Sequence, residues 1–162
     1  MIKIAKLNDI PYIEDILKDA VNWMDTKNIL NLWNEHNIRW DVLSKNYKIE
    51  DFYIDYINNI PVGCMAVTDI DVTYWSDVKQ GTSLYIHKLA VKQDARGRGI
   101  SKELIDFAKE KAYSKNINEI RLDCNANRIK LRALYEEQGF QIVKKILTDK
   151  GYELALYSCN LN

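Results

Sequence analysis

The sequence predicts a mixed α+β fold: a mostly antiparallel central sheet flanked by helices and containing one parallel strand pair. Three observations predict it: segments in which apolar residues alternate with period two, segments with helical apolar spacing, and their order along the chain. Strand, helix and strand follow one another between residues 82 and 124, and such a crossover joins parallel strands. The short turns elsewhere make hairpins, which are antiparallel. At 162 residues, 47% of them hydrophobic, the chain is long enough to bury a sizeable core. Its two prolines and six glycines are scattered as turn punctuation, with no linker, low-complexity tract or repeat, so residues 1–162 are expected to form a single domain.

Ile2 and Ile4 open an alternating strand. Asn8 and Asp9 then supply a helix cap with Pro11 in the first turn, and Ile13, Ile16, Leu17, Ala20, Val21 and Met24 keep helical spacing behind it. A second helical region, around 34–47, carries Trp33, Ile38, Trp40, Leu43 and Tyr47. From Asp51 the period is two, with Phe52, Ile54 and Tyr56 against Tyr53, Asp55 and Ile57, and Asn58-Asn59 turns the chain into a second strand over 62–72. A further strand over 82–91 stops at the glycine-containing run 93–99. A helix from about Ile100 bears Leu104, Ile105, Phe107, Ala108 and Ala112 as its apolar stripe. A short strand over 117–124, a helix over 128–138 ended by Gly139, and a closing hairpin of 141–147 with 152–157 complete the order β, α, α, β, β, β, α, β, α, β, β.

Composition excludes several classes of function. Twenty-three Lys and Arg balance twenty-three Asp and Glu, which argues against affinity won by neutralising many phosphates of a nucleic acid or a membrane surface. The longest apolar runs are only a few residues and the N-terminus alternates, so a cytoplasmic protein without membrane or nucleic-acid partners is expected. Cys64, Cys124 and Cys159 are an odd number in no paired spacing, which fits reduced, buried thiols. His36 and His87 lie far apart, and no metal site is expected.

The segment that carries chemistry is Arg96-Gly97-Arg98-Gly99-Ile100-Ser101, where a strand ends in a glycine turn and opens into a helix. Gly97 and Gly99 allow backbone conformations in which successive N–H groups point at one ligand, and the first turn of the helix adds unpaired N–H groups. This is an anion cradle, supplemented by Lys92, Arg96 and Arg98, yet it lacks the Lys-Ser/Thr ending of a P-loop and the G-x-G-x-x-G of a dinucleotide fold. In its position between strand and helix it resembles the acetyl-CoA motif of the GNAT superfamily of N-acetyltransferases, Gln/Arg-x-x-Gly-x-Gly/Ala, with Ser101 in the last place. A second block of that family, an asparagine followed by a helix ending in Tyr-x-x-x-Gly-Phe, is matched by Asn127, Leu131, Tyr135, Glu136, Gly139 and Phe140, with asparagine and tyrosine one residue further apart than in the commonest form. With the element order, the resemblance spans nearly the whole chain.

The resemblance implies a parallel strand pair splayed around a coenzyme A site, acetyl-CoA as cosubstrate, and a roster of site residues. The backbone of Leu89, Ala90 and Val91 would pair with the pantetheine arm like one more strand and polarise the thioester carbonyl. Arg96, Gly97, Arg98, Gly99, Ile100 and Ser101 would hold the pyrophosphate, with Asn127 also on the cofactor side. Tyr135 would protonate the departing thiolate, a transfer only mildly uphill from a phenol of pKa about 10 to a thiol of about 8.5. For the general base three readings stay open: His87, two residues before Leu89 and of unperturbed pKa about 6.5, Asp123 on the following strand, or a water.

Charge placement bears on the acceptor. Residues 49–78 hold Glu50, Asp51, Asp55, Asp69, Asp71 and Asp77 and no Lys or Arg, whereas residues 88–102 hold five basic residues against Asp94 alone. Carboxylates of the acidic stretch, with Tyr74 and Trp75, are expected to draw in a cationic amine. Trp23, Trp33 and Trp40 are open to three roles: lining the acceptor pocket, anchoring the core, or forming a homodimer surface. The expected activity is direct transfer of acetyl to a primary amine of a small molecule. A protein or peptide N-acetyltransferase and a noncatalytic acyl-CoA-binding module are the alternatives.

Overall fold

In a computed structural model that describes residues 1–162, the element order is that read from the sequence. The strands are β1 (Ile2–Ile4), β2 (Phe52–Ile57), β3 (Ile60–Thr68), β4 (Leu84–Val91), β5 (Glu119–Asn125), β6 (Gln141–Leu147) and β7 (Glu153–Asn160). The helices are α1 (Ile10–Thr26), α2 (Trp40–Leu43), α3 (Ile100–Ser114) and α4 (Ile129–Glu137). The strands hydrogen-bond in the order β1-β2-β3-β4-β5-β7-β6. β1 with β2, β2 with β3, β5 with β7 and β6 with β7 are antiparallel, and β4 with β5 is parallel, as the crossover implied. No helix is long and apolar enough to cross a membrane.

Two compact units divide the chain: residues Met1–Val67 with Lys88–Leu104, and Thr68–His87 with Ile105–Asn162. In the first unit the apolar face of α1, made by Ile13, Ile16, Leu17, Ala20, Val21 and Met24, is buried together with Phe52, Ile54, Cys64, Ala66 and Ala90. Trp23, Trp33 and Trp40 pack against that same core, so anchoring is the role the fold gives them. The hairpin between β2 and β3 turns on Asn58 and Asn59, both at positive φ (50° and 65°), the geometry that suits a two-residue loop. In the second unit β7 is the central strand, its Leu154, Ala155, Leu156 and Tyr157 buried, and Arg132 and Glu136 of α4 both hydrogen-bond the Tyr157 hydroxyl (2.8 and 2.9 Å).

Two expected elements differ. The helical region around 34–47 contains only the four residues of α2. Around it the asparagines form turns of their own: Asn34 Oδ1 accepts the amides of His36 and Asn37, and Asn37 Nδ2 donates to the Leu32 carbonyl. Side chains of this kind compete with the helical ladder for the backbone. The strand expected to reach residue 72 ends at Thr68, because the Thr68 hydroxyl donates to the Ile70 carbonyl (2.9 Å) and Asp71 Oδ1 accepts the amides of Thr73 and Tyr74 (2.9 and 3.0 Å). These are local turns that close before a ladder can continue.

Candidate active site

In the first unit, the glycine turn has a left-handed backbone with open space around it. Gly97 and Gly99 have φ of 74° and 81°, and a methyl group built on either would meet no atom within 4 Å. Their role is therefore conformational, and the space before them is open. The Glu103 amide closes a helical bond onto Gly99 O (3.0 Å), so α3 begins directly at the glycine turn. The turn is fastened from behind: Gln93 N donates to Asp19 Oδ2 (2.7 Å), Ala95 and Ile100 are buried, and the Arg96 guanidinium lies 3.6 Å from the centroid of Trp23. Lys92, expected beside the anion, instead forms an ion pair with Asp15 and donates its amide to Val62 O. Arg96 and Arg98 remain at the turn, both exposed.

Gly63 on β3 supports this arrangement by its lack of a side chain. A methyl group there would come within 2.8 Å of Ile100 Cγ2 and 3.1 Å of the Ala90 carbonyl, so the start of α3 rests directly on the strand.

β4 contains an irregularity that nothing in its residue pattern announces. Lys88 stands at φ 52° within the strand, and the buried Cys64 thiol donates to its carbonyl (3.7 Å). Leu84 and Tyr85 pair with Ile120 and Arg121 of β5, and the ladder goes no further. Leu89 is half-buried, Ala90 and Val91 are buried, and none of the three is laddered to β5.

The register Tyr85↔Arg121 places His87 and Asp123, each two residues on, at the same face of the sheet. Ligating atoms of His87, Asp123 and Asp71 all lie within 4.8 Å of one another. Thr68 donates its one hydroxyl proton to Ile70 O, so toward His87 Nε2, 3.2 Å away, its oxygen is an acceptor. Tyr85 stacks on His87 with centroids 6.3 Å apart, and Trp75 continues the row 6.5 Å beyond Tyr85.

Tyr74 borders this cluster, its amide donated to Asp71 Oδ1 (3.0 Å). Burial, followed by the negative fields of Asp123 and Asp71, raises the pKa of Tyr74. Burial, Tyr74 and Asp123 push Tyr152 up to about 12. The Tyr152 hydroxyl is buried without a hydrogen-bond partner. Its only sequence signal is its place just before the last strand, whose one aromatic residue is Tyr157.

Of the six acidic residues between 49 and 78, Asp71 alone joins the cluster. Asp55 is buried and holds the Met1 ammonium (3.0 Å), Asp51 accepts the Lys48 amide (2.8 Å), and Asp69 accepts from Gln80 Nε2 (3.3 Å). The expectation that this stretch acts broadly as a cation attractor narrows to one residue. Trp75 is likewise withdrawn: it is buried, with the Arg121 guanidinium 4.3 Å from its centroid.

Tyr135 is buried on α4, with the rings of Phe140 and Tyr157 6.0 and 6.2 Å away. Burial, reinforced by Cys124 and Asp123 and opposed by Arg128, holds its pKa far above the ordinary phenol value. The hydroxyl is therefore fully protonated at neutral pH and a weaker acid than the sequence expectation assumed. Asn127 lies exposed just before α4, its amide donated to Asn125 Oδ1 (2.9 Å).

A family model described as "Acetyltransferase (GNAT) family" matches residues 13–140, and the chain belongs to that family. It is 30% identical over 78 residues to the uncharacterized N-acetyltransferase YesJ of Bacillus subtilis, a match covering 48% of this chain and 43% of that protein. It is 32% identical over 90 residues to N-alpha-acetyltransferase 30 of Saccharomyces cerevisiae, covering 54% and 47%. These matches span under half the length of either relative. The structure of yncA from Salmonella typhimurium, determined with its cofactor acetyl-CoA, superposes with a TM-score of 0.74 at 14% identity, covering 100% of this chain and 94% of that one, and so shares the fold.

Proposed function

We propose that residues 1–162 act as one acetyl-CoA-dependent N-acetyltransferase domain that moves an acetyl group directly onto a primary amine of a small molecule. The observation that carries this reading is the turn at Gly97 and Gly99, two left-handed glycines facing open space at the start of α3. It fits a pyrophosphate, held by the amides of residues 97–102 with Arg96 and Arg98 beside them. The β4 backbone at Leu89, Ala90 and Val91, free of the β5 ladder, suits an extended pantetheine arm. Bound acetyl-CoA supplies an activated thioester: the amine nitrogen bonds to the carbonyl carbon, the carbon–sulfur bond breaks, and coenzyme A leaves as the thiol.

The chain's own residues handle the protons. His87 takes a proton from the amine, and Asp123, within 4.8 Å of it, stabilises the imidazolium that forms. Tyr135 donates to the leaving sulfur, and burial, by raising its pKa, makes that donation steeper than a solvent-exposed phenol's. Asn127 assists on the cofactor side. A protein α-amine is the second reading, favoured by the identity with N-alpha-acetyltransferase 30. Thermal shift with acetyl-CoA, then free-thiol release against polyamines, amino acids, aminoglycosides and peptides, tests the proposal. Stabilisation by acetyl-CoA with thiol release on a small amine is expected. Absence of stabilisation overturns the cofactor assignment, and release only on peptides transfers the reading to the second one.

A further inference from the structure

We propose that Trp23 is a positioning residue for the cofactor: its indole holds the Arg96 guanidinium in the orientation in which it meets the pyrophosphate, so the turn is set before acetyl-CoA arrives. The inference rests on the reading that the turn at Gly97 and Gly99 takes that group, and it concerns the first unit alone. Asp15, Asp19 and Trp23 follow one another at intervals of four along α1, which places them in one row on the helix surface, beside the buried row of Ile16, Ala20 and Met24. Each member grips a successive part of the segment that leads into the turn. Asp15 forms the ion pair with Lys92, Asp19 accepts the Gln93 amide (2.7 Å) and its side-chain nitrogen (3.4 Å), and Trp23 lies against Arg96, with 3.6 Å between ring centroid and guanidinium carbon. Helix and segment run in the same order, so one rigid element fastens the approach to the turn at three points.

The third contact differs from the other two in what it lets the side chain do next. An ion pair or a hydrogen bond engages the N–H groups of a cation, whereas a stack engages the face of the guanidinium and not the donors in its plane. One Arg96 side chain can therefore lie on the indole and meet phosphate oxygens at its edge. A separation of 3.6 Å is van der Waals contact, where the attraction between the cation and the negative face of the ring is strong. Arg96 is exposed, and an exposed arginine samples many rotamers that it must surrender when a ligand binds. Held against Trp23, it has surrendered most of them in advance. Its backbone is tethered as well, since the Arg96 amide donates to Gln93 O (3.4 Å) in the short turn that Asp19 fastens.

A double-mutant cycle read by calorimetry with acetyl-CoA tests this. Trp23→Leu removes the ring face and should weaken acetyl-CoA binding about tenfold. Arg96→Gln changes only the exposed side of the contact, and in that background Trp23→Leu should weaken binding less than about twofold, because the ring has no cation left to place. Trp23→Phe keeps an aromatic face and should recover most of the affinity; it also carries the same cycle if leucine proves incompatible with folding at this half-buried position. The stack has a signature that needs no cofactor: ring current moves the Arg96 Nε–H proton signal upfield, Arg96→Gln assigns the signal by removing it, and Trp23→Leu should return it to the ordinary arginine position. An affinity within twofold of the parent in Trp23→Leu, an equal loss in both backgrounds, or an Arg96 signal that ignores the substitution overturns the proposal and leaves the cofactor reading standing. A parent protein that does not bind acetyl-CoA overturns the cofactor reading, and the positioning role with it.

Discussion

The glycine turn of the first unit and the carboxylate–imidazole cluster of the second are built by opposite means. Residues 96–101 are contiguous, and the properties that matter there, a left-handed backbone and a fresh helix end, belong to the local chain. Asp71, His87 and Asp123 come from three separate segments, yet their ligating atoms lie within 4.8 Å of one another. A contiguous site fails on single backbone substitutions and tolerates change beyond the α1 row that fastens it. A dispersed site depends on register, and its members can be changed one at a time with separable effects on binding and on proton transfer.

Substitutions that act on one region alone test this division. Tyr135→Phe carries the largest expected effect: kcat should fall about 100-fold, as loss of a general acid does, with the dissociation constant of acetyl-CoA unchanged. A kcat within twofold of the parent removes Tyr135 as the acid. Gly63→Ala should destabilise the fold by about 1–3 kcal/mol, read by chemical denaturation, because a methyl group would press on Ile100 and on the Ala90 carbonyl. If acetyl-CoA affinity falls with it while amine binding holds, the turn depends on its packing as well as on its backbone. Gly97→Ala, at φ 74° with open space around it, should cost about 1–2 kcal/mol in backbone strain and appear as roughly tenfold weaker acetyl-CoA binding by calorimetry. An equal loss of amine binding would break the comparison.

The smallest effect concerns thiols in both units. Burial pushes Cys64 and Cys124 from 9.0 up to about 12 in the folded protein. Below pH 9 both states are protonated and these groups leave stability unchanged. As pH rises above 9 the unfolded chain alone ionises, so stability is lost, by about 1.4 kcal/mol per thiol at pH 10. Denaturation midpoints measured from pH 7 to 11 check this, and Cys64→Ala should flatten part of the decline.

Most of the fold could be read because its signals are local. The α1 stripe, the Asn58-Asn59 hairpin and the Gly139 helix end each sit within a few residues of their cause. The region around 34–47 misread because its apolar spacing is helical while its asparagines bind their own backbone. The anion turn could be read for the same local reason. His87 and Asp123 were readable as candidates, yet their proximity required the Tyr85↔Arg121 register. Lys92 misread because nothing in the sequence near it announces Asp15.

Lys88 gives β4 a consequence for the timing of proton exchange. A lysine at φ 52° inside a strand carries a conformational cost of about 1 kcal/mol or more, and the strand's ladder with β5 is confined to the two residues Leu84 and Tyr85. One strand therefore contains two clocks. Amides committed to the ladder should exchange with deuterium only when the sheet opens, whereas those past the left-handed residue that face the β5 side should exchange early and slow down once an extended ligand lies along them.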